Sequence, residues 1–163
     1  ERLTEQDIRI AGYVHEAGKP SVVLLNKIDI LEGTRNEVLE NVKKAGFKTA
    51  IVTNKVDYAA QDLCKRMFGK NIDLVVGSVD NRPNKPAPDG AFYAIETLGS
   101  NKENTIFVGD ADTDILTAKN AGLKSIGVLW GFRDREIIEE KGAEYIVETV
   151  NDLEKLLISL KNG

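Results

Sequence analysis

Apolar runs of four to six residues alternate along this chain with stretches whose apolar positions recur at helical spacing, and short Gly- or Asn-bearing turns separate them. This alternation predicts a parallel α/β sheet covered by helices. The predicted strands are 21–25, 48–53, 72–76, 105–108, 125–129 and 145–147. About six strands, nearly all flanked by helices, make a three-layer, doubly wound, mostly parallel sheet of Rossmann-like type.

Caps mark the helix ends. Thr4 and Asp7 open one helix with Ile8, Ala11 and Val14 on its apolar face, and Gly18 followed by Pro20 closes it. A second spans 34–45, with Val38, Leu39, Val42 and Ala45 inward and Gly46 as its stop. The same device recurs at Gly99 after Phe92, Ile95 and Leu98, at Gly122 after Ile115 and Ala118, and at Gly142 after Ile137 and Ile138. A last amphipathic helix from about Asn151 carries Leu153, Leu156, Leu157 and Leu160. One segment breaks the pattern. Residues 77–88, GSVDNRPNKPAP, hold three of the four prolines, which excludes helix and strand interior. A loop at the C-terminal end of a strand is where α/β proteins place chemistry.

A length of 163 residues implies one hydrophobic core and a single domain over 1–163. Net charge −4 with interspersed signs gives no electrostatic footprint for nucleic acid or anionic lipid. No apolar run is long enough for a membrane, and no targeting signal opens the chain, so a cytoplasmic setting is the expectation. Cys64, the single cysteine, reads as a core thiol on a helix, and His15 is the single histidine, so Cys/His metal ligation has no partners here. Oligomeric state is left open, as is whether Trp130 and Phe132 serve a site rim, the core or an interface.

The chemistry-bearing residues gather at predicted strand ends. TIFVGD followed by ADTDI puts Asp110 at a strand tip and Asp112 and Asp114 at the start of a helix. Carboxylates this close repel unless a cation such as Mg²⁺ sits among them, although an Asp there can equally cap the helix. Thr53 and Asn54 end another strand, and Lys85 lies in the proline-rich loop. A hydroxyl, an ammonium and helix-start N–H groups are the parts that hold phosphoryl oxygens.

IVTNK, NKPAPD and FVGDADTDI stand in the order and spacing of the second, third and fourth motifs of haloacid-dehalogenase-superfamily phosphatases. The resemblance covers about residues 32–160, and GVLWGFRDREIIEEKGAEYIV is similar to the tail of phosphoglycolate-phosphatase-like members. It implies a core without a cap domain, in which Thr53 and Asn54 bind phosphate with Lys85. Lys85 also steadies the charge of the nucleophile, Asp110 ligates Mg²⁺ and Asp114 orients that shell. The implied partner is a small phosphate ester or inorganic phosphate. The family's first motif, DxDGT, supplies the nucleophile and the acid/base. Here SVVLLNKIDILEGT places Asn26 at the nucleophile position and Ile28 at the acid/base position. Neither can do that work. Asp29 is the nearby carboxylate that could substitute, three residues further along.

Residues 1–31 resemble something else. LTEQDIRIAGYVHEAGKPSVVLLNKIDIL is similar to the helix and strand around the NKxD motif of translation-factor-class GTPases with tandem domains. That resemblance implies guanine contacts from Asn26, Lys27 and Asp29, but no GxxxxGK[ST] phosphate loop occurs in the chain. The combined expectation is an engineered chimera that is catalytically inactive. A weak Mg²⁺-dependent hydrolase using Asp29 or metal-activated water, and a guanine-nucleotide module, are the alternatives.

Overall fold

The computed structural model describes residues 21–26 and 34–162. The helix expected from Thr4, and Lys27, Ile28 and Asp29, lie outside the described residues. Strands β1 (Ser21–Leu25), β2 (Phe47–Val56), β3 (Leu74–Ser78), β4 (Thr105–Gly109), β5 (Lys124–Val128) and β6 (Tyr145–Val147) form one sheet in the order β3-β2-β1-β4-β5-β6. Every pairing is parallel. The helices are α1 (Thr34–Lys44), α2 (Asp57–Phe68), α3 (Asp89–Thr97), α4 (Asp112–Ala121), α5 (Arg135–Glu140) and α6 (Val150–Asn162), and a 3₁₀ turn, Gly69–Asn71, precedes β3.

The period-2 pattern of each strand divides the core. Val23 and Leu25 of β1 pack with α1, α2 and α6 on one face. Val22 and Leu24 pack with Ala91, Ala94 and Ile95 of α3 and Ala118 and Ala121 of α4 on the other. These four β1 side chains are at most 2% exposed. Burying them is worth on the order of 8 kcal/mol in transfer terms, so an apolar five-residue strand is held at the sheet centre whatever its tip carries. β1 lies between β2 and β4, pairing Ser21 with Phe47 through Leu25 with Ile51, and Val22 with Thr105 through Leu25 with Val108. The chain reverses its winding at β1/β4, which opens the crevice where such sheets bind ligands.

Several boundaries differ from the sequence reading. β3 begins two residues late because Asp73 is occupied at the sheet's lower end: its carboxylate accepts the Thr49 N–H at 2.9 Å and meets the Lys43 ammonium at 2.6 Å. It continues through Gly77 and Ser78, which the proline-rich loop was expected to claim, because Ser78 finds a register partner in Val56 of the extended β2. Phe92, expected inward, is 38% exposed, since Ala91, Ala94 and Ile95 form the buried face of α3 and Lys102 covers the Phe92 ring. Of the two tail aromatics, Trp130 packs against the core and Phe132 is exposed.

The outer edge of β3 is closed by α2. Gln61 donates to the Val75 carbonyl at 2.8 Å, and Asp57, one turn earlier, accepts the Gly77 N–H at 2.9 Å.

Candidate active site

β1, β2 and β4 end side by side. The β1 ladder runs one residue past the strand, where the Asn26 N–H donates to the Val108 carbonyl at 3.1 Å. This aims the Asn26 side chain at α4, and its Nδ2 lies 3.0 Å from each oxygen of the Asp114 carboxylate. Asp114 also receives the Lys85 ammonium at 2.6 Å and the N–H groups of Asp110 and Ala111 at 3.2 and 3.1 Å. The bond from Ala111 caps α4, so the capping role weighed from sequence and a place in the polar cluster fall to one residue. Four donor groups thus converge on the roughly four lone-pair sites of one fully buried carboxylate.

Lys85 is only 9% exposed, and Asp110 is fully buried. Asp110 accepts the Phe132 N–H on Oδ2 at 2.9 Å, and its carbonyl accepts the Arg133 N–H at 3.3 Å. The loop after β5 therefore docks on the tip of β4. Two glycines permit this packing. A Cβ on Gly131 would strike the Asp110 side chain, and one on Gly109 would strike that of Asp114. Asp112 faces outward and pairs with the Arg133 guanidinium at 3.2 Å.

Thr53, Asn54 and Lys85 line one narrow cleft together with Arg82 and Asn84. The Thr53 hydroxyl accepts the Lys55 N–H at 3.2 Å. Asn54 follows Thr53 on β2, and both of its polar amide atoms meet the main chain of Lys85, with Oδ1 accepting the N–H at 2.8 Å and Nδ2 donating to the carbonyl at 3.1 Å. The structure thus brings Asn26, Lys85, Asp110 and Asp114 together, with Thr53 and Asn54 in the adjoining cleft. Sequence reasoning missed Asn120, whose Nδ2 donates to the Pro86 carbonyl at 2.8 Å. It also missed Gly131, which only a motif for the loop after β5 would have signalled.

The sequence profile of the haloacid dehalogenase-like hydrolases matches residues 4–128. A protein of Caldanaerobacter subterraneus subsp. tengcongensis provisionally named pyrophosphatase PpaX is 36% identical over 126 residues, 74% of this chain and 56% of that one. The phosphoglycolate phosphatase of Colwellia psychrerythraea is 34% identical over 134 residues, 82% of this chain and 56% of the relative. A crystal structure from Lactobacillus delbrueckii subsp. bulgaricus, provisionally assigned as a phosphoglycolate phosphatase, superposes with a TM-score of 0.75 at 32% identity, over 77% of this chain and 53% of its own. The chain spans little more than half the length of these relatives. With its profile match across most of its length and a parallel six-stranded core shared with solved members, the chain belongs to the haloacid dehalogenase-like hydrolases.

Proposed function

We propose that this chain is a haloacid-dehalogenase-type phosphatase core that binds phosphoryl groups and does not turn them over. One observation carries the reading: the side chain at the tip of the central strand, hydrogen-bonded to the carboxylate that also holds Lys85, is the carboxamide of Asn26. An amide is a poor nucleophile, so the aspartyl-phosphate route has no attacking oxygen there. In this reading Thr53 and Lys85 engage the phosphoryl oxygens of a small phosphate ester or of inorganic phosphate.

Mg²⁺ is the cation that the family resemblance implies, and its fit to these residues is incomplete. The oxygens of Asp114 are saturated by N–H donors, and position 26 contributes no charge. No cluster of three acidic, His or Cys side chains gathers among the described residues. A cation here would depend on Asp110 and on the ligand's own oxygens.

We read residues 1–31 as a GTPase-derived segment in a chimera, on the NKID resemblance; the profile match from residue 4 pulls against that origin. Guanine recognition is not favoured, because the Asn26 amide is engaged by Asp114. The deciding assay is hydrolysis of p-nitrophenyl phosphate with and without Mg²⁺. No turnover is expected from the chain, and a trace from Asn26→Asp with Ile28→Asp. Turnover by the unmodified chain that vanishes in Asp29→Asn would overturn the reading and make Asp29 the nucleophile.

A further inference from the structure

We infer that Asn54 and Asn120 are positioning residues that set the Lys85 ammonium, by clamping the main chain of the proline-rich loop from two sides. The inference rests on the reading of Lys85 as the phosphoryl-binding cation.

A lysine stem is flexible, with about 2 kcal/mol of rotamer entropy, so where its ammonium lies depends on how firmly its backbone is held. Lys85 sits between Asn84 and Pro86 in a loop with few main-chain bonds of its own, such as Ala87 N–H to the Asn84 carbonyl at 2.9 Å. Asn54 supplies what the loop lacks. Its planar amide sets one accepting and one donating atom side by side, and both atoms bond the same residue, at 2.8 and 3.1 Å, in the manner of a ladder pairing. A carboxylate in its place would keep the acceptor but face the Lys85 carbonyl with a second oxygen, and alanine would offer neither. Pro86 has no N–H, so its carbonyl is its one handle, and Asn120 takes it at 2.8 Å.

Asn120 belongs to the helix that carries Asp114. Six residues separate the two on α4, about 9 Å along the axis. The same rigid element therefore holds the loop by its backbone through Asn120 and by the Lys85 side chain through Asp114, while β2 holds it through Asn54. Both asparagines commit side-chain atoms to the loop, Asn120 through Nδ2 and Asn54 through Oδ1 and Nδ2.

Two measurements test this: calorimetric titration of the full chain with inorganic phosphate, and the Lys85 ¹⁵Nζ resonance, which the 2.6 Å bond to Asp114 should shift and protect from exchange. Removing two hydrogen bonds in Asn54→Ala is expected to weaken phosphate about tenfold and to abolish the protected signal. Asn54→Asp keeps the acceptor for the Lys85 N–H and should recover part of the protected signal, whereas its charge in the cleft works against phosphate. Asn120→Ala, at an exposed helix position, should weaken phosphate by a smaller factor and serves if Asn54→Ala does not fold. Asn101→Ala removes a comparable turn bond far from the loop and should leave both readouts unchanged. If Lys85→Ala leaves phosphate affinity intact, the phosphoryl-binding reading fails and the resonance alone judges the clamp. If Lys85→Ala weakens binding but Asn54→Ala and Asn120→Ala keep both wild-type affinity and the protected signal, the clamp is overturned.

Discussion

Replacing Asn26 by aspartate tests the centre of the site through stability alone. In the wild type, the Asn26 amide donates to both Asp114 oxygens at 3.0 Å. Asn26→Asp removes that donor and sets two carboxylates at the same separation. At an effective dielectric near 20, the repulsion is about 5 kcal/mol. Lys85, 2.6 Å from Asp114, offsets part of it. The introduced carboxyl can also escape by taking a proton, which from a reference pKa of about 3.9 costs at most about 4 kcal/mol at pH 7. The expected loss is about 2–4 kcal/mol, or about 5–15 °C in melting midpoint for a chain of this size.

The sign with pH follows. The folded pKa of the new carboxyl is raised above its unfolded value, so the deficit is absent below that unfolded pKa and grows as pH rises. At pH 5 it is at most about 1.5 kcal/mol. Mg²⁺ should recover stability in the variant, by about 2.7 kcal/mol at a hundredfold excess over its dissociation constant, and leave the wild type nearly unmoved. Thermal melts at pH 5 and 7, in EDTA and in MgCl₂, read all of this. A variant as stable as the wild type at pH 7 in EDTA would mean that the side chain at position 26 does not face Asp114.

Two further outcomes are expected. Gly131→Ala drives a methyl into the Asp110 side chain and should cost about 1–3 kcal/mol, read as a lowered denaturation midpoint; an unchanged midpoint would show that the loop after β5 is not docked on β4. Lys161→Met addresses the far end of the sheet, where the Lys161 ammonium lies 4.3 Å over the Phe47 ring with no hydrogen-bond partner among the described residues, and burial lowers its pKa to about 8. Because the folded pKa lies below the unfolded one, the charged form is destabilising below pH 8 and the deficit is relieved as pH rises towards 10.5. After discounting for solvent screening, Lys161→Met should gain about 1 kcal/mol at pH 7, and urea midpoints measured at pH 7 and 10 should converge; a constant difference would refute the assignment.

What the sequence made legible divides by range. The strand cores were readable because each is an apolar run whose burial needs no knowledge of its neighbours. Helix ends were readable because Gly46 and Gly122 adopt positive φ where the chain turns back. The start of β3 was not, because it depends on the capture of Asp73 by Thr49 and Lys43, contacts made by residues 24 and 30 positions away. Phe92 sat at a plausible inward spacing, but small residues at 91 and 94 bring α3 close to the sheet and leave the larger ring at the rim. The site was half readable. Lys85, Asp110 and Asp114 could be proposed from motif order, but the direction of the Asn54 amide, toward a backbone 31 residues away, has no local signature. Nor does the bond from Asn26 to Asp114 across 88 residues.

The closed edge of β3 bears on what may be exchanged inside this fold. A parallel sheet grows by offering its unpaired outer backbone as a template. Here Gln61 and Asp57 already occupy that template at Val75 and Gly77, and at the opposite rim β6 offers only three residues. A nascent chain with a poorly matched central strand therefore has little opportunity to satisfy itself by recruiting another molecule along either border. Its remaining course is to seat the strand it has. Guarded borders thus turn the pairing capacity of the sheet inward, toward the strands of the same chain.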